Sequence, residues 1–230
     1  MLIQLQPDLY QLRSFLASSY LIIDGREVCL IDGGFLGGMK LIKQCLSENG
    51  LHWSNITSIL LTHGHLDHTF NIAEIQHRSS AKLYVHPLEQ DHLTGTHKYR
   101  GVARACGLIE TCGRILFGFQ LPTLDQTLTH NQNLDIAGSI QVIHTPGHTA
   151  GHCSFYWKKH DLLFSGDLFA TGHKRTFLPP PHLNACPEHF PASIQRVLDL
   201  APAGILSNHC NLASPQLQRE RFFKQFASAD

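Results

Sequence analysis

Neither charge predominates in this chain of 230 residues: 18 Lys+Arg stand against 18 Asp+Glu. That balance removes the electrostatic case for a nucleic-acid or anionic-membrane surface. Long apolar runs are missing as well. The best, Ile59 to Leu61, is strand-sized, far short of the ~20 residues a membrane helix needs. The opening MLIQLQPDLYQL has no basic n-region and no unbroken apolar h-region, so it does not read as a signal peptide. The seven cysteines (Cys29, Cys45, Cys106, Cys112, Cys153, Cys186 and Cys210) contain no CxxC pair and no zinc-finger spacing. Reduced thiols used as small buried apolar groups are the simplest account of them. No Pro/Ser/Gly linker, fixed-period repeat or low-complexity tract divides the chain. A soluble, cytoplasmic, single-domain protein over 1–230 is expected, acting on a small molecule rather than on nucleic acid or a membrane.

What is present is a globular composition, 43% hydrophobic and 16% charged, with an unusual number of histidines. There are 17, spread from His52 to His209 with no polyhistidine run. Imidazole is a metal ligand and titrates near neutrality, so the excess directs attention to metal or acid–base chemistry. A count is not a site, however, and the order of the residues has to supply one.

Ser19 to Ile23 and Glu27 to Ile31 read as strands joined at Asp24-Gly25, a hairpin signal. Met39 to Leu46 has helical spacing and stops near Asn49-Gly50. Ile56 to Leu61 is a buried-type strand, Asn71 to His77 a helix and Lys82 to Val85 a strand. Further on, Ile136 to Ile143, Cys153 to Trp157, Leu162 to Phe164 and Ile205 to Leu206 read as strands. Ile194 to Leu200 and Leu217 to Phe226 read as helices. Sheets with helices outside them follow, α/β or α+β. Between Pro87 and Pro122, Val102, Ala105, Cys106, Ile109, Cys112, Leu116 and Phe119 keep helical spacing. This helical insertion at about 87–122 is either packed on the core or a lid over a pocket.

After the strand at 56–61 comes Thr62-His63-Gly64-His65-Leu66-Asp67-His68. In an extended chain residues i and i+2 project to the same side, so His63 and His65 can meet one metal ion. Asp67 and His68 fall where a helix would begin. Packing alone does not call for three imidazoles and a carboxylate in one short stretch, and metal binding is expected.

These residues resemble the HxHxDH signature of the metallo-β-lactamase superfamily, and the resemblance continues along the chain. Thr145-Pro146-Gly147-His148 is similar to the family's second metal motif and Ser165-Gly166-Asp167 to its third. His209 is the candidate last ligand, and Ile31-Asp32-Gly33-Gly34 resembles the early Asp-Gly motif, in which Asp32 supports the site without binding metal. The resemblance implies an α/β fold, a four-layer αβ/βα sandwich. It also implies two divalent metal ions: zinc, with iron or manganese as alternatives. Metal 1 would take His63, His65 and His148; metal 2 would take Asp67, His68 and His209; Asp167 would bridge them. Two positions depart from the family's usual pattern. Ser207-Asn208-His209-Cys210 lacks glycine around the histidine, and Thr69-Phe70-Asn71 replaces a glycine pair after His68. Phe70 is expected as the first core residue of the following helix.

The implied activity is that of a metal-dependent hydrolase using a metal-bound hydroxide on a carbonyl ester, a thioester or lactone, with Asp67 handling protons. No GxSxG or Cys–His pattern competes for the nucleophile's role. Lys174 and Arg175 are candidate substrate contacts or plain surface charges, and Phe117 and Phe119 are candidates for an apolar wall along an acyl group. The alternatives are a mononuclear-iron sulfur (persulfide) dioxygenase, a β-lactam hydrolase, and a non-catalytic metal-binding member. Among the remaining histidines, His152 reads as either a support for the ligands or an ordinary structural residue. His86, His144 and His173 flank loops, and His52, His77 and His160 are expected on the surface.

Overall fold

Two strands that local sequence does not announce open the chain. β1 (Leu2–Gln6) and β2 (Leu9–Arg13) pair antiparallel, and β2 pairs in turn with β3 (Ser18–Asp24). β1 sets Gln4 and Gln6 among its leucines and is only partly buried on both faces. It therefore lacks the alternation that marks a half-buried strand, and pairing rather than local pattern holds it. The computed structural model describes residues 1–172, 174–210 and 212–227. The chain divides into two compact units, Met1–His97 with Leu108–Leu128, and Lys98–Gly107 with Thr129–Asp230.

In the first unit β3 turns through Gly25 into β4 (Glu27–Ile31), the expected hairpin. Helix α1 (Gly38–Glu48) follows, burying Ile42, Cys45 and Leu46 and ending at Asn49, whose amide donates to the Cys45 carbonyl at 2.8 Å. β5 (Ile56–Leu60) then lies parallel to β4. Two short helices come next, α2 (Leu66–Thr69) and α3 (Ile72–Ser79), and lead into β6 (Lys82–Val85), parallel to β5. α4 (Gln90–Thr94) and α5 (Arg104–Phe117) precede β7 (Gln126–Thr127), which closes a seven-stranded sheet in the order β1-β2-β3-β4-β5-β6-β7. The parallel strands are nearly continuous apolar runs because both faces are covered. Leu30, Ile59 and Leu83 from their centres are fully buried with Ile42, Ile72 and Ile75 from the helices.

In the second unit β8 (Asn133–Leu134), β9 (Ile140–His144), β10 (Cys153–Trp157) and β11 (Leu162–Gly166) form antiparallel neighbours. A small hairpin, β12 (Ala170–Thr171) with β13 (Thr176–Phe177), precedes α6 (Phe190–Leu200). β14 (Gly204–Ser207) joins the sheet parallel to β11, and α7 (Pro215–Phe226) ends the described chain. α7 starts at Ser214, whose hydroxyl accepts from the Leu217 N–H at 3.2 Å, with Pro215 in the first turn. Phe169 and Phe222, with ring centroids 4.9 Å apart, lie in this unit's core with Leu163 and Ile205.

Three expectations need correction. The strand expected from Ile136 begins at Ile140, because Ala137, Gly138 and Ser139 all take positive φ (51°, 76° and 94°), which no strand admits. α6 begins at Phe190, earlier than Ile194, because Pro191 is well suited to a first turn, where its missing N–H costs nothing. α5 matches the helical spacing between Pro87 and Pro122, but Ile109 and Leu116 on the expected packing face are 66% and 77% exposed. It turns Glu110 and Arg114 inward beside buried Cys106, the approach of Gly113 to Leu66 and the contact of Phe117 with Phe35. No helix among the described residues is long and apolar enough to cross a membrane.

Candidate metal centre

The first group of candidate ligands hangs from the C-terminal ends of β4 and β5. Asp32 follows β4 with φ 62°, a left-handed conformation that Asp tolerates better than most residues, and its side chain is fully buried. Its Oδ1 accepts from the Thr62 N–H at 2.8 Å and its Oδ2 from the Thr62 hydroxyl at 2.8 Å. The same Oδ2 lies 2.9 Å from His68 Nδ1. A carboxylate can only accept, so His68 donates from Nδ1 and carries its lone pair on Nε2. Thr62 has already given its one hydroxyl proton to Asp32 and therefore accepts, at 3.0 Å, from His63 Nδ1. His63 is left with its lone pair on Nε2 as well. That atom lies 3.2 Å from His65 Nδ1, which the two-residue spacing brings to the same side. Asp67 begins α2 with His68, and its Oδ2 is 3.7 Å from His68 Nε2. One aspartate and one threonine thus set the tautomers of two imidazoles, a common support for metal-binding histidines.

The second group comes from three separate segments of the other unit. His148, in the loop between β9 and β10, places Nδ1 3.0 Å from Asn184 Oδ1. The Asn184 amide is oriented by its own donation to the Pro179 carbonyl at 2.9 Å. Asp167 follows β11, and its Oδ2 is 3.5 Å from His148 Nε2 and 3.1 Å from His209 Nε2. The His209 carbonyl accepts from the Thr171 N–H at 2.9 Å, tethering the segment after β14 to β12. His152 supports the Asp167 backbone: its Nε2 accepts the Asp167 N–H at 2.9 Å, while Nδ1 faces the Thr145 hydroxyl and carbonyl at 2.9 and 3.0 Å. Of the two readings of His152, the supporting one fits this geometry.

The family model described as "Metallo-beta-lactamase superfamily" matches residues 13–203. The chain belongs to the metallo-β-lactamase superfamily. Among other members, a protein of Bacillus subtilis (strain 168) described as "Probable metallo-hydrolase YqgX" is 32% identical over 173 residues, 70% of this chain and 71% of that one. A hydroxyacylglutathione hydrolase of Halorhodospira halophila is 30% identical over 129 residues, 55% of this chain and 38% of that enzyme. The crystal structure of the metallo-β-lactamase family protein TTHA1429 from Thermus thermophilus aligns with a TM-score of 0.75. That alignment is 24% identical and covers 97% of this chain and 80% of the other, which shows the superfamily's α/β fold.

The remaining candidates divide. Phe117 meets Phe35 and Phe70 edge-on, with ring centroids 5.3 and 6.2 Å away. Phe70 is half-buried in that aromatic cluster rather than in the core, contrary to expectation. The Phe119 ring lies 4.3 Å beneath the Arg114 guanidinium. Lys174 and Arg175 are exposed in the turn between β12 and β13. His86 caps a short turn by accepting from Leu88 N, and His144 faces the Ala150 carbonyl at 2.9 Å. His173 lies outside the described residues. His52 and His77 are exposed as expected, whereas His160 is half-buried against Trp157.

Sequence reasoning did not single out Thr62, Asn184, Glu89, Glu110 or Arg114. Glu110 is largely withdrawn from solvent, which pushes its carboxyl above the ordinary carboxylate range, while the Leu66 N–H and Arg114 pull it back. An acidic residue in an otherwise apolar helical pattern was the available signal for Glu110, and none marked Asn184.

Proposed function

We propose that this protein is a metal-dependent hydrolase of a small thioester or lactone. In this reading residues 1–230 work as a single domain and the two groups of ligands act on one pair of divalent ions. His63, His65 and His148 would hold one ion, Asp67, His68 and His209 the other, and Asp167 would be shared. The supporting observation is that His63, His68 and His148 each have Nδ1 engaged by a neighbouring oxygen, which reserves Nε2 for a ligand. The donors are imidazole and carboxylate throughout, a set that suits zinc and also iron or manganese.

A bound pair supplies a water of lowered pKa together with an electrophile for the carbonyl oxygen. The chain's own residues do the rest. As the C–S or C–O bond breaks and the water oxygen bonds to the acyl carbon, Asp67, 23% exposed, would take a proton from that water and pass it to the leaving sulfur or oxygen. The 30% identity to a hydroxyacylglutathione hydrolase supports a thioester. Phe117, still 39% exposed beside Phe70, would line the acyl group, whereas Phe119 is engaged by Arg114. Lys174 and Arg175 would meet a polar or anionic end of the substrate.

Metal analysis of the purified protein, combined with an ester, thioester, lactone and lactam panel, tests the reading. About two zinc ions per chain and hydrolysis of thioesters or lactones, rising with acyl length, are expected. Asp167→Ala and His65→Ala should both lose metal and turnover. Unchanged stoichiometry in both variants is incompatible with the ligand scheme, and a flat response to acyl length removes the role of Phe117. About one iron per chain, with oxygen uptake on a persulfide, would put a dioxygenase in the hydrolase's place.

A further inference from the structure

His65 is flanked by Gly64 and Leu66, whose backbone groups belong neither to the ladder of β5 nor to the interior of α2. Such groups need other partners when they are buried. The Leu66 carbonyl accepts from the Phe70 N–H at 2.9 Å, and the partners of the other three groups come from the segment 87–122. Glu89 Oε2 accepts from the Gly64 N–H at 2.7 Å, and Glu110 Oε1 accepts from the Leu66 N–H at 3.0 Å. Arg114 Nη2 donates to the Gly64 carbonyl at 3.2 Å and to the His92 carbonyl at 2.8 Å, and Nη1 donates to the Leu93 carbonyl at 2.8 Å. Arg114 also pairs with Glu110 at 3.4 Å, so the charges serving the loop are themselves coupled.

Two close approaches belong to the same arrangement. A Cβ on Gly64 would stand 2.5 Å from His92 Cβ, and one on Gly113 would stand 2.8 Å from Leu66 Cδ2. Glycine at 64 lets the loop approach α4 this closely, and glycine at 113 leaves room for the Leu66 side chain against α5.

We infer that the segment 87–122 is a clamp on the ligand loop, with Glu89, Glu110 and Arg114 as positioning residues that hold His63 and His65 ready for a metal ion. The inference rests on the metal-binding reading above. Packing alone does not account for the choice of residues. A helix laid on a core needs an apolar inner face, yet α5 turns Glu110 and Arg114 inward and leaves Ile109, Ile115 and Leu116 largely exposed. Charged acceptors make stronger bonds than neutral ones. Fixing the backbone on both sides of His65 limits how far its ring can turn away from His63.

The test compares Glu110→Ala with Glu110→Gln, which keeps an acceptor oxygen. Zinc affinity is read by competition with a chelator, and amide hydrogen exchange at Gly64 and Leu66 is read on the metal-free protein. Glu110→Ala should weaken the tighter zinc site about 10–100-fold, the range for lost outer partners of a metal ligand, and should speed exchange at Leu66. Glu110→Gln, which keeps the acceptor but not the charge, should lose clearly less than Glu110→Ala in both. Wild-type affinity and exchange in Glu110→Ala overturn the clamp, as does an equal loss in Glu110→Gln. If Glu110→Ala does not fold, Arg114→Lys carries the test. It keeps the charge but loses the fork that reaches three carbonyls, so weakened zinc binding and faster exchange at Gly64 are expected, and wild-type values overturn the clamp. Turnover is not read. A protein that binds zinc and hydrolyses nothing refutes the proposed reaction alone, whereas a wild type that binds neither zinc, iron nor manganese refutes both.

Discussion

His63, His65, Asp67 and His68 come from one short stretch whose backbone and His68 are held by charged neighbours, whereas His148, Asp167 and His209 come from three segments and are supported by neutral groups. Around the first group stand Asp32, Glu89, Glu110 and Arg114. Around the second stand Asn184, His152 and the Thr171 backbone. Hydrogen bonds to a charged partner are worth ~1.5–3 kcal/mol and neutral ones ~0.5–1.5 kcal/mol, so the first group has the firmer support. The difference follows from how each is built. A single turn between strand and helix must bring imidazole nitrogens within 3.2 Å of each other while its own backbone lacks regular partners. Ligands at separate strand ends inherit their positions from the sheet. Burial does not divide them: His63, His68, His148 and Asp167 are all buried, while Asp67 and His209 are 23% and 31% exposed.

Asp32→Ala is the strongest way to break the comparison. It strips three bonds at once and leaves the Thr62 N–H and His68 Nδ1 buried without their acceptor. Each buried donor left unsatisfied costs ~1–3 kcal/mol, so chemical denaturation should show a loss of ~2–6 kcal/mol together with loss of metal from the His68 site. A loss below ~1 kcal/mol would show that the charged support is dispensable. Asn184→Ala is the matching change in the second group. It removes one neutral bond, and a stability loss of ~1 kcal/mol is expected, with His148 weakened as a ligand but not abolished. If Asn184→Ala costs as much as Asp32→Ala, the contrast between charged and neutral support fails.

The smallest expected effect concerns two thiols in the first unit. Burial pushes Cys29 and Cys45 each up to about 12, from an ordinary 9.0. A thiol whose folded-state value is raised contributes stability that is fully present below pH 9 and is lost as pH rises toward about 12, since only the unfolded chain ionises early. The urea midpoint should fall across that window, and Cys29→Ala with Cys45→Ala should flatten the fall. Thiol reagents at pH 8 should find exposed Cys112 and spare Cys29 and Cys45 until the protein unfolds.

Legibility differed with the range of the interactions. Strands with strong apolar runs, such as Lys82–Val85 and Cys153–Trp157, read correctly from sequence because both faces are determined by burial. β1 did not, since its glutamines take their place through pairing with β2. α5 was legible as a helix but not in its orientation. Apolar residues at helical spacing predict an inner face, while the buried Glu110–Arg114 pair reverses that prediction. Phe70 was misjudged for a similar reason, because Phe35 and Phe117, distant in sequence, draw it into an aromatic cluster.

The absence of net charge and of long apolar runs, and the order of His63, His65, Asp67, His68, His148, Asp167 and His209, could be read directly from the chain. They carried the superfamily and its donor chemistry because ligand spacing along a strand end is a local property. The tautomers of those histidines, and the glutamates and arginine that hold their loop, could not be read that way. Thr62 lies beside His63, but Asp32 lies 2.8 Å from its hydroxyl only through the pairing of β4 with β5, and Glu110 reaches Leu66 only because α5 folds back. A nitrogen's protonation depends on which oxygen stands next to it in space, and tertiary structure alone decides that.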